Sequence, residues 1–460
     1  SNTLSAGGFS VDNSCRFDSG GSAYLSKTLG TPTNNKIWTY SLWVKNCAIG
    51  DGNSTLLSTA SDASYIYFRP DDADPTPYGF SVESTGNYQF IPLMTFKDPL
   101  AYYHICIAVD TTQATEADRT KLYINGSQIT SFTSGKETYP SQDLDTSVNS
   151  AVAHKIGGFA SGTNLDAYLS EVVFIDGTQY AASDFGEFDE DSPTIWKPID
   201  VSGLTFGDNG FYLDFEDSAD LGADVSGNSN DWTSSGLAAT DQATDTPTNN
   251  FATFNPLFPI SGDTLSEGNV KVQTSDGNYS TSSSSIGVAS GKWYAEVKYT
   301  AQSSVAALIV GVTSNPSEDA RNDDYIGEQS YSYGYNSANG ESYTGGSGTS
   351  YGDSFAVDDI IGIALNLDDN ELIFYKNGAV QNSGTALSIT AAASTTSGLY
   401  HFAISDTTTN YNITAEINFG NPSFTISSGN ADADGYGNFE YAVPSGYYAL
   451  CTKNLGAYGG

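Results

Sequence analysis

The chain has 460 residues, 38% of them hydrophobic and 13% aromatic, which is enough for two or three domains with their own cores. Its 17 Lys and Arg against 54 Asp and Glu give a net charge of −37, spread along the sequence, which argues against nucleic acid and anionic membrane partners. No run of about 18 apolar residues occurs, so no membrane insertion is predicted.

Short alternating segments recur along the whole chain. In chain order they are WTYSLWVK (38–45), SYIYFRP (64–70), YHICIAVD (103–110), TKLYING (120–126), AYLSEVVFID (167–176), GFYLDFED (210–217), KWYAEVKYT (292–300), ALIVGVT (307–313), IIGIALNLD (360–368), ELIFYKNG (371–378) and NITAEINFG (412–420). Apolar residues at every second position put one face of a strand into a core. Because helical periodicity is nearly absent, the sequence predicts an all-β protein built from antiparallel β-sandwiches.

One hairpin pattern is written twice, at 104–129 and at 360–380. Each copy has an apolar strand that ends in Asp, a polar turn, and a second strand that ends in Asn-Gly. This dipeptide accepts the positive φ angles that a two-residue hairpin turn requires. The duplication predicts two sandwiches of the same general kind.

Composition suggests where the domains begin and end. We expect a first sandwich at 1–200, an acidic connector rich in Pro and Asn at 201–258, and a second sandwich at 259–460. The connector contains DFEDSADLGADVSGNSNDW and then ATDQATDTPTNNFATFNPLFP. Whether it folds separately or belongs to one of its neighbours stays open at the level of sequence.

The four cysteines form no C-x-x-C pair, so a zinc site is not expected. Cys106 lies in the apolar run HICIAV, which predicts a buried free thiol. A disulfide between Cys15 and Cys47 stays an open alternative, and the place of Cys451 is not predicted.

The segments resemble two known families. In the first half, YSLWVK, YYHICIAVD, KLYINGSQI and YLSEVVFIDG resemble successive strands of laminin-G-like, concanavalin-A-like domains. In the second half, SGKWYAEV, VGVTS, YGYNSANGESY, YGDSFAVDDIIGIALNLDDNELIFYKNGA, INFG and VPSGYYAL follow in the order of a SPRY domain. With both halves together, the chain resembles fibre or appendage proteins of marine bacteriophages.

Catalytic residues are not expected. Concanavalin-A-like glycanases place carboxylates at i, i+2 and i+4 on one strand, and Glu187, Asp189 and Asp191 have this spacing. A Gly precedes this stretch and Ser-Pro follows it, so we interpret it as a solvated acidic loop. His104 and His401 each follow a Tyr at the start of an apolar run, which predicts hydrogen-bonded structural histidines rather than acid–base catalysts.

Two acidic stretches are candidates for binding Ca²⁺, which takes six to eight oxygen ligands from carboxylates, amides and carbonyls. The candidate ligands are Asp71, Asp72 and Asp74 in the first stretch and Asp214, Asp217, Asp220, Asp224 and Asn228 in the second. Neither stretch has the EF-hand spacing. The alternative for both is an acidic, solvated surface without an ion.

Three aromatic side chains are candidates for ligand contact. Tyr343 and Tyr351 lie in a Tyr-, Gly-, Ser- and Asn-rich segment at 325–353, and Trp232 follows an Asn/Asp-rich turn. Tyrosine among small polar residues is typical of binding loops, because the ring offers a flat apolar face at low entropic cost. In SPRY domains the equivalent loops form the binding surface.

The leading hypothesis is a non-enzymatic virion surface protein, a tail-fibre-like adhesin that acts outside the cell. It would bind a host-surface glycan or a receptor protein, contact other virion or appendage subunits, and form a homo-oligomer. One alternative is a structural subunit, such as a capsid decoration or filament protein that acts only through subunit contacts. The third hypothesis is a glycan hydrolase, which needs two carboxyl groups brought together from separate strands.

Overall fold

The computed structural model of the chain describes residues 8–48, 54–60, 63–69, 78–159, 164–257, 262–275, 279–304, 307–317, 324–407 and 411–459. The chain divides into two compact units, residues 2–248 and 249–460. Within these described ranges, each helix is too short or too polar to cross a lipid bilayer.

The first unit consists of short strands. They are β1 (Ser14–Phe17), β2 (Tyr24–Thr28), β3 (Ile37–Asn46), β4 (Ser54–Thr59), β5 (Ser64–Phe68), β6 (Phe80–Ser84), β7 (Tyr88–Pro92), β8 (Tyr103–Asp110), β9 (Thr120–Ile124), β10 (Ser127–Gln128), β11 (Phe132–Thr138), β12 (Ala153–Ile156), β13 (Ala167–Asp176), β14 (Gly186–Phe188), β15 (Trp196–Pro198), β16 (Phe211–Leu213), β17 (Thr233–Ser235) and β18 (Gln242–Ala243). Single 3₁₀ turns lie at Glu116–Asp118, Ala182–Asp184 and Ala239–Asp241.

Two antiparallel sheets form the first sandwich. Sheet I has the strand order β10-β9-β8-β3-β13-β1-β18, with β16 also paired to β13, and sheet II has the order β11-β7-β6-β5-β4-β12-β2-β17. Their facing side chains form one hydrophobic core, to which Trp38 and Ile107 contribute from sheet I and Ile66 and Phe80 from sheet II. The predicted β-sandwich is therefore confirmed for this half of the chain.

The outer side of sheet I carries a third layer. Trp43, Cys106 and Val173 point away from the main core and pack against Phe185 and Trp196, which belong to the segment after β13. Burial of both sides explains why β3 and β13 are buried along almost their whole length. Sheet II has no comparable buried cluster on its outer side among the described residues.

The segment expected to be a connector belongs largely to the first unit. Strand β16 pairs with β13, β17 extends sheet II beside β2, and β18 pairs with β1. The Lys45 amine and the Asp245 carboxylate form an ion pair of 2.7 Å, and both side chains are fully buried. Residues 201–248 therefore complete the first sandwich, because the sheets would otherwise lose edge strands and leave a buried cation unpaired.

The second unit has the same character. Its elements are β19 (Thr264–Ser266), β20 (Lys271–Gln273), β21 (Thr281–Ser283), β22 (Lys292–Gln302), β23 (Leu308–Thr313), β24 (Ser332–Asn336), β25 (Glu341–Thr344), β26 (Ser347–Ser350), β27 (Ile360–Asn366), β28 (Glu371–Lys376), β29 (Ala379–Val380), β30 (Leu387–Ser388), β31 (His401–Asp406), β32 (Ile413–Asn418), β33 (Tyr448–Ala449) and the helix α1 (Thr452–Tyr458). Single 3₁₀ turns lie at Asn382–Gly384 and Ala392–Ser394.

Two sheets again enclose one core. Sheet III has the order β19-β20-β32-β22-β27-β28-β29, with β30 beside β28 and β33 parallel to β22, and sheet IV has the order β21-β31-β23-β24-β25-β26. Trp293 and Ile363 from sheet III pack against Val310 and Phe402 from sheet IV. The second predicted sandwich is confirmed as well.

The duplicated hairpin pattern has the same structure in both units. Strands β8, β9 and β10 form one edge of sheet I, and β27, β28 and β29 form one edge of sheet III. Asn125 and Asn377 both have φ of +47°, and each is followed by a glycine with positive φ. The Asn125 Oδ1 accepts the His104 N–H at 2.8 Å, and the Asn377 Oδ1 accepts the Ile360 N–H at 2.9 Å. The asparagine therefore both permits the turn and fastens it to the neighbouring strand.

The cysteines are buried in the cores. Cys106 is a buried free thiol, as predicted, and Cys451 is buried in the second unit. Cys15 and Cys47 are also buried and are not joined to each other, so the disulfide that the sequence left open does not form. Burial raises the pKa of the Cys47 thiol to about 12, which leaves it protonated and unreactive at neutral pH.

Candidate functional site

The outer face of sheet II in the first unit presents tyrosines and polar groups. Along β5, Ile66 and Phe68 point into the core, so the alternation of a strand places Tyr65 and Tyr67 on the opposite face. Glu83 on β6 lies directly opposite Tyr65 across the strand pair. Period-2 geometry thus collects the polar residues of several strands on one surface.

These residues form a line across the sheet that we call the polar row. Cross-strand register connects its members in the order Gln89 on β7, Glu83 on β6, Tyr65 on β5, Ser58 on β4, Lys155 on β12, Ser26 on β2 and Thr233 on β17. Except for Ser58, which is buried, and Thr233, which is exposed, the members are half-buried. The row therefore offers a surface of donors and acceptors that already lie in register.

Hydrogen bonds hold the centre of the polar row in place. The Glu83 carboxylate accepts the Tyr65 and Tyr67 hydroxyls at 3.1 Å each, and it also accepts the Ser81 hydroxyl. The two tyrosine rings lie 5.3 Å apart, and the Phe159 ring meets Tyr65 edge-on at 5.4 Å. Rings and carboxylate are thus ordered before any ligand arrives, which lowers the entropic cost of binding.

The chemistry of this surface suits a sugar. An aromatic ring provides an apolar face, and neighbouring hydroxyls, an amide and a carboxylate fix orientation by hydrogen bonds. Glycoside hydrolysis needs a pair of carboxyl groups at about 5–10 Å, one on each side of the scissile bond. Glu83 is the single carboxylate among the seven members of the polar row, all of which lie in the described residues.

The buried histidine of the first unit has a structural role. The Trp196 Nε1–H donates to His104 Nδ1 at 3.0 Å, so His104 Nε2 carries the proton and donates to the Ser41 hydroxyl at 2.9 Å. Burial lowers the pKa of His104 to about 3, which keeps the ring neutral. His401 is also buried, and its Nδ1 lies 2.8 Å from the Ser284 carbonyl. Both histidines are hydrogen-bonded parts of the fold, as predicted.

Two of the three aromatic candidates are core residues. Trp232 is 3% exposed, belongs to the core of the first unit and meets Phe211 edge-on at 5.0 Å. Tyr351 is 5% exposed, and its hydroxyl oxygen accepts the Phe374 N–H at 3.1 Å. Neither ring faces solvent, so the expectation that they contact a ligand is corrected: both stabilise a core.

Tyr343 differs from them, because it lies on the outer side of sheet IV. Its ring meets Tyr325 edge-on at 6.2 Å, and Tyr325 in turn meets Tyr279 at 5.5 Å. We call these three half-buried rings the tyrosine cluster. The Tyr343 hydroxyl donates to Glu341 at 3.1 Å and accepts the Asn339 amide at 3.1 Å. This is a second surface on which rings and polar groups occur together.

The predicted calcium ligands of the second acidic stretch serve turns instead. The carboxylates of Asp214, Asp217 and Asp220 each accept the backbone N–H two residues further on, at 2.9–3.1 Å. Asp224 accepts three backbone N–H groups, and the Asn228 amide donates to two backbone carbonyls. Such side chains stabilise turns by replacing backbone partners.

No group of three or more His, Cys, Asp or Glu side chains is arranged to hold a metal ion within the described ranges. The five candidates at 214–228 are therefore not brought together as one set of ligands. The other three candidates, Asp71, Asp72 and Asp74, lie outside the described residues.

The acidic triad after β13 is only partly solvated. Asp189 is 1% exposed, forms an ion pair with Lys197 at 3.3 Å and accepts the backbone N–H groups of Asp191 and Ser192. Glu187 is exposed and also approaches Lys197, at 3.3 Å. The interpretation as a fully solvated loop was wrong for Asp189, because the loop folds over its lysine partner.

The polar row was not predicted from the sequence, although a signal for it exists. The segment SYIYF alternates tyrosine with isoleucine and phenylalanine, which places both rings of Tyr65 and Tyr67 on the face away from the core. Glu83 lies directly opposite Tyr65, and Lys155 lies two strands away in the same row; only strand pairing aligns these residues.

Comparison with known families agrees with this architecture. Residues 18–182 match the concanavalin A-like lectin/glucanases superfamily, and residues 292–421 match the SPRY domain. Each match covers less than half of the chain, and the two domains occur in this order along it. No curated protein matches the chain.

Several solved structures are similar to parts of the chain at low identity. The SPRY domain of human HERC1 is 18% identical over 36% of this chain and 96% of its own, with a TM-score of 0.30. A candidate carbohydrate-binding protein from Bacteroides ovatus is 17% identical over 49% of this chain and 58% of its own, with a TM-score of 0.32. Stonustoxin is 17% identical over 36% of this chain and 27% of its own, with a TM-score of 0.27. Likeness at this level carries no argument about function.

Both family matches are compatible with a non-enzymatic binding protein. A concanavalin A-like match in the first β-sandwich thus precedes a SPRY match in the second.

Proposed function

We propose that the chain is a non-enzymatic binding protein whose first unit recognises a glycan on the outer face of sheet II. The observation that carries this proposal is the pre-ordered centre of the polar row, where the Glu83 carboxylate holds the Tyr65 and Tyr67 hydroxyls at 3.1 Å. A sugar ring lying on Tyr65 gains apolar contact, while its hydroxyls exchange water for the neighbouring polar side chains.

The test is a glycan array probed with the full chain and with two variants of Tyr65. Tyr65→Ala removes the ring, and we expect affinity to fall roughly 2- to 10-fold, the worth of an aromatic contact. Tyr65→Phe keeps the ring and loses only the hydroxyl, so it should retain most of the binding. Both variants are first checked by thermal melting, because only folded protein is informative.

Tyr343→Ala is the matched control, since it removes an equally half-buried tyrosine from the other unit. Glycan binding that is lost in Tyr65→Ala and kept in Tyr343→Ala supports the proposal. If the folded chain binds no glycan on the array, the proposal is contradicted and the structural-subunit hypothesis is favoured.

Calcium enters this proposal as an ordering ion for the acidic loops, and the array is therefore run with calcium and again with EDTA. Asp71, Asp72 and Asp74 follow β5 in the sequence, and β5 carries Tyr65. We expect binding to weaken in EDTA if an ion orders this stretch, and the Asp72→Asn variant should then weaken binding even with calcium present.

At the level of the particle, we propose that the chain acts as a tail-fibre-like adhesin on the outside of a virion and assembles there as a homo-oligomer with other appendage subunits. Its support is the sequence resemblance to marine phage appendage proteins. Several copies on one particle would raise a weak single-site affinity by avidity. Peptides of this chain in purified virions, and inhibition of adsorption by the free protein, are the results expected; light scattering measures the oligomeric state.

A second candidate function is protein binding by the second unit, and the tyrosine cluster favours it. Tyr343 and Tyr325 present half-buried rings beside Glu341 and Asn339, which is the mixture of rings and adaptable polar groups found in paratopes. If a receptor protein is the ligand, Tyr343→Ala should abolish cell binding while Tyr65→Ala leaves it unchanged.

A further inference from the structure

We propose that the polar row binds an anionic glycan, a polysaccharide segment that carries carboxylate or sulfate groups. This inference rests on the proposed glycan-binding function and adds the class of ligand. Two lysines at separate points of the row carry the argument, together with the ring that lies between them.

Cations are scarce in this chain, and fewer than half of them form an ion pair among the described residues. Against 54 acidic residues there are 17 Lys and Arg. Seven of these cations lie within ion-pair distance of a carboxylate among the described residues: Arg16, Lys36, Lys45, Lys121, Lys197, Lys292 and Lys376. A lysine on a preformed binding face that has no such partner can pair with a ligand of opposite charge.

Lys155 is such a lysine. Its amine lies 4.4 Å above the centre of the Tyr24 ring, a cation–π contact that holds the charge without neutralising it. No ion pair joins it to a described carboxylate. Its cross-strand neighbours in the polar row are Ser58 and Ser26, whose hydroxyls are neutral.

Lys136 lies on β11, beside the Gln89 end of the row, and supplies a second cation. Its amine donates to the Gln89 side-chain carbonyl at 3.3 Å, and no described carboxylate pairs with it. Gln89 lies on β7 and Lys155 on β12, with β6, β5 and β4 between them. Four strand spacings of about 4.8 Å separate the two ends by roughly 19 Å.

The centre of the row does not cancel these charges. The Glu83 carboxylate accepts three protein hydroxyls and is one negative charge against the two positive charges of the lysines. Tyr65 lies between the two lysines and supplies the ring. A glycan several sugars long with more than one acidic group would pair with both ends and stack in the middle.

The net charge of −37 does not prevent such contact. At physiological ionic strength the Debye length is about 8 Å, so distant carboxylates are screened while a lysine in contact with the ligand is not. The lysines that contact the ligand therefore determine its affinity, whereas the rest of the acidic surface affects only the rate at which an anionic ligand approaches from a distance.

The experiment titrates the full chain with three kinds of polysaccharide in 0.15 M salt: neutral, uronate-bearing and sulfated. We expect binding to at least one acidic kind and weaker binding to the neutral kind. Comparison of the uronate-bearing and the sulfated polysaccharide shows which acidic group the lysines bind. Lys155→Gln and Lys136→Gln should each lower affinity about tenfold, as loss of one charge-assisted hydrogen bond does.

Lys453→Gln is the matched control, because Lys453 also lies over a tyrosine ring, that of Tyr436, at 5.3 Å, but in the second unit. It should bind like the unaltered chain. Binding to neutral glycans alone overturns this inference and leaves the proposed function standing. Binding to no glycan contradicts the proposed function itself. Anionic binding that neither lysine variant weakens also overturns the inference, since the acid is then recognised elsewhere.

Discussion

The ion pair between Lys45 and Asp245 offers the sharpest test of how the first unit is built. Both side chains are fully buried, and their charged atoms lie 2.7 Å apart. The Asp245 backbone carbonyl accepts the Ser14 and Tyr102 hydroxyls at 2.6 Å each, so several groups fasten this part of residues 201–248 to sheet I.

Lys45→Met removes one partner and leaves a carboxylate in a dry core. Breaking a buried pair in this way costs about 3–5 kcal/mol of unfolding free energy. For a unit of roughly 250 residues, each kcal/mol shifts the melting temperature by about 2–4 °C. The expected loss is therefore roughly 6–20 °C in the melting temperature of the first unit.

The assay is differential scanning calorimetry of the full chain, with the second unit as the internal control. Lys45→Met combined with Asp245→Leu replaces both charges by apolar groups, and much of the lost stability should return. The cycle formed by the two single variants and the double variant isolates the coupling between them. A shift below about 2 °C in Lys45→Met, or strictly additive effects, would refute the view that residues 201–248 are docked by a buried pair.

Five further variants at four positions test the structure. Trp232→Ala should lower the stability of the first unit by about 3–5 kcal/mol in calorimetry, because it empties a core site, and the folded variant should bind glycan normally. Burial raises the pKa of Glu171 and of Glu296 to about 7, so each group favours the fold below about pH 4.5, and this contribution is lost as the pH rises through 7. Glu171→Gln removes the cost of burying this carboxylate, which is on the order of 3 kcal/mol of unfolding free energy, so this variant should melt at a higher temperature than the unaltered chain at pH 8. Glu296→Gln should instead melt at a lower temperature, because both carboxylate oxygens of Glu296 accept backbone N–H groups, those of residues 440 and 441. Asn377→Ala should destabilise the second unit by about 1–2 kcal/mol, since it combines positive φ with a lost hydrogen bond, and Asn377→Gly should cost less.

Each of these expectations has a contrary result. Loss of glycan binding in Trp232→Ala with unchanged melting would return this ring to the binding surface. An equal effect of the two glutamine variants at pH 8 would contradict the different surroundings of Glu171 and Glu296. Equal stability of the alanine and glycine variants at position 377 would show that backbone strain in the turn is negligible.

The sequence alone determined the fold class and the hairpins, because both depend on local patterns. Alternation of apolar and polar residues shows which face of a strand is buried, and Asn-Gly specifies its turn through φ angles that few other residues accept. Hence the two sandwiches and the turns at Asn125 and Asn377 could be predicted, as could the buried state of Cys106 and the structural role of His104.

The tertiary structure decided which polar and aromatic residues face solvent. Trp232 and Tyr351 lie in loop-like sequence that resembles a binding surface, yet both rings, each next to the end of a strand, pack into cores. Tyr65 lies in an ordinary strand, and pairing between distant strands brings it into register with Glu83 and Lys155. Contacts of this kind join residues far apart in the chain, so they depend on the strand order of the sheet, which local sequence patterns do not specify.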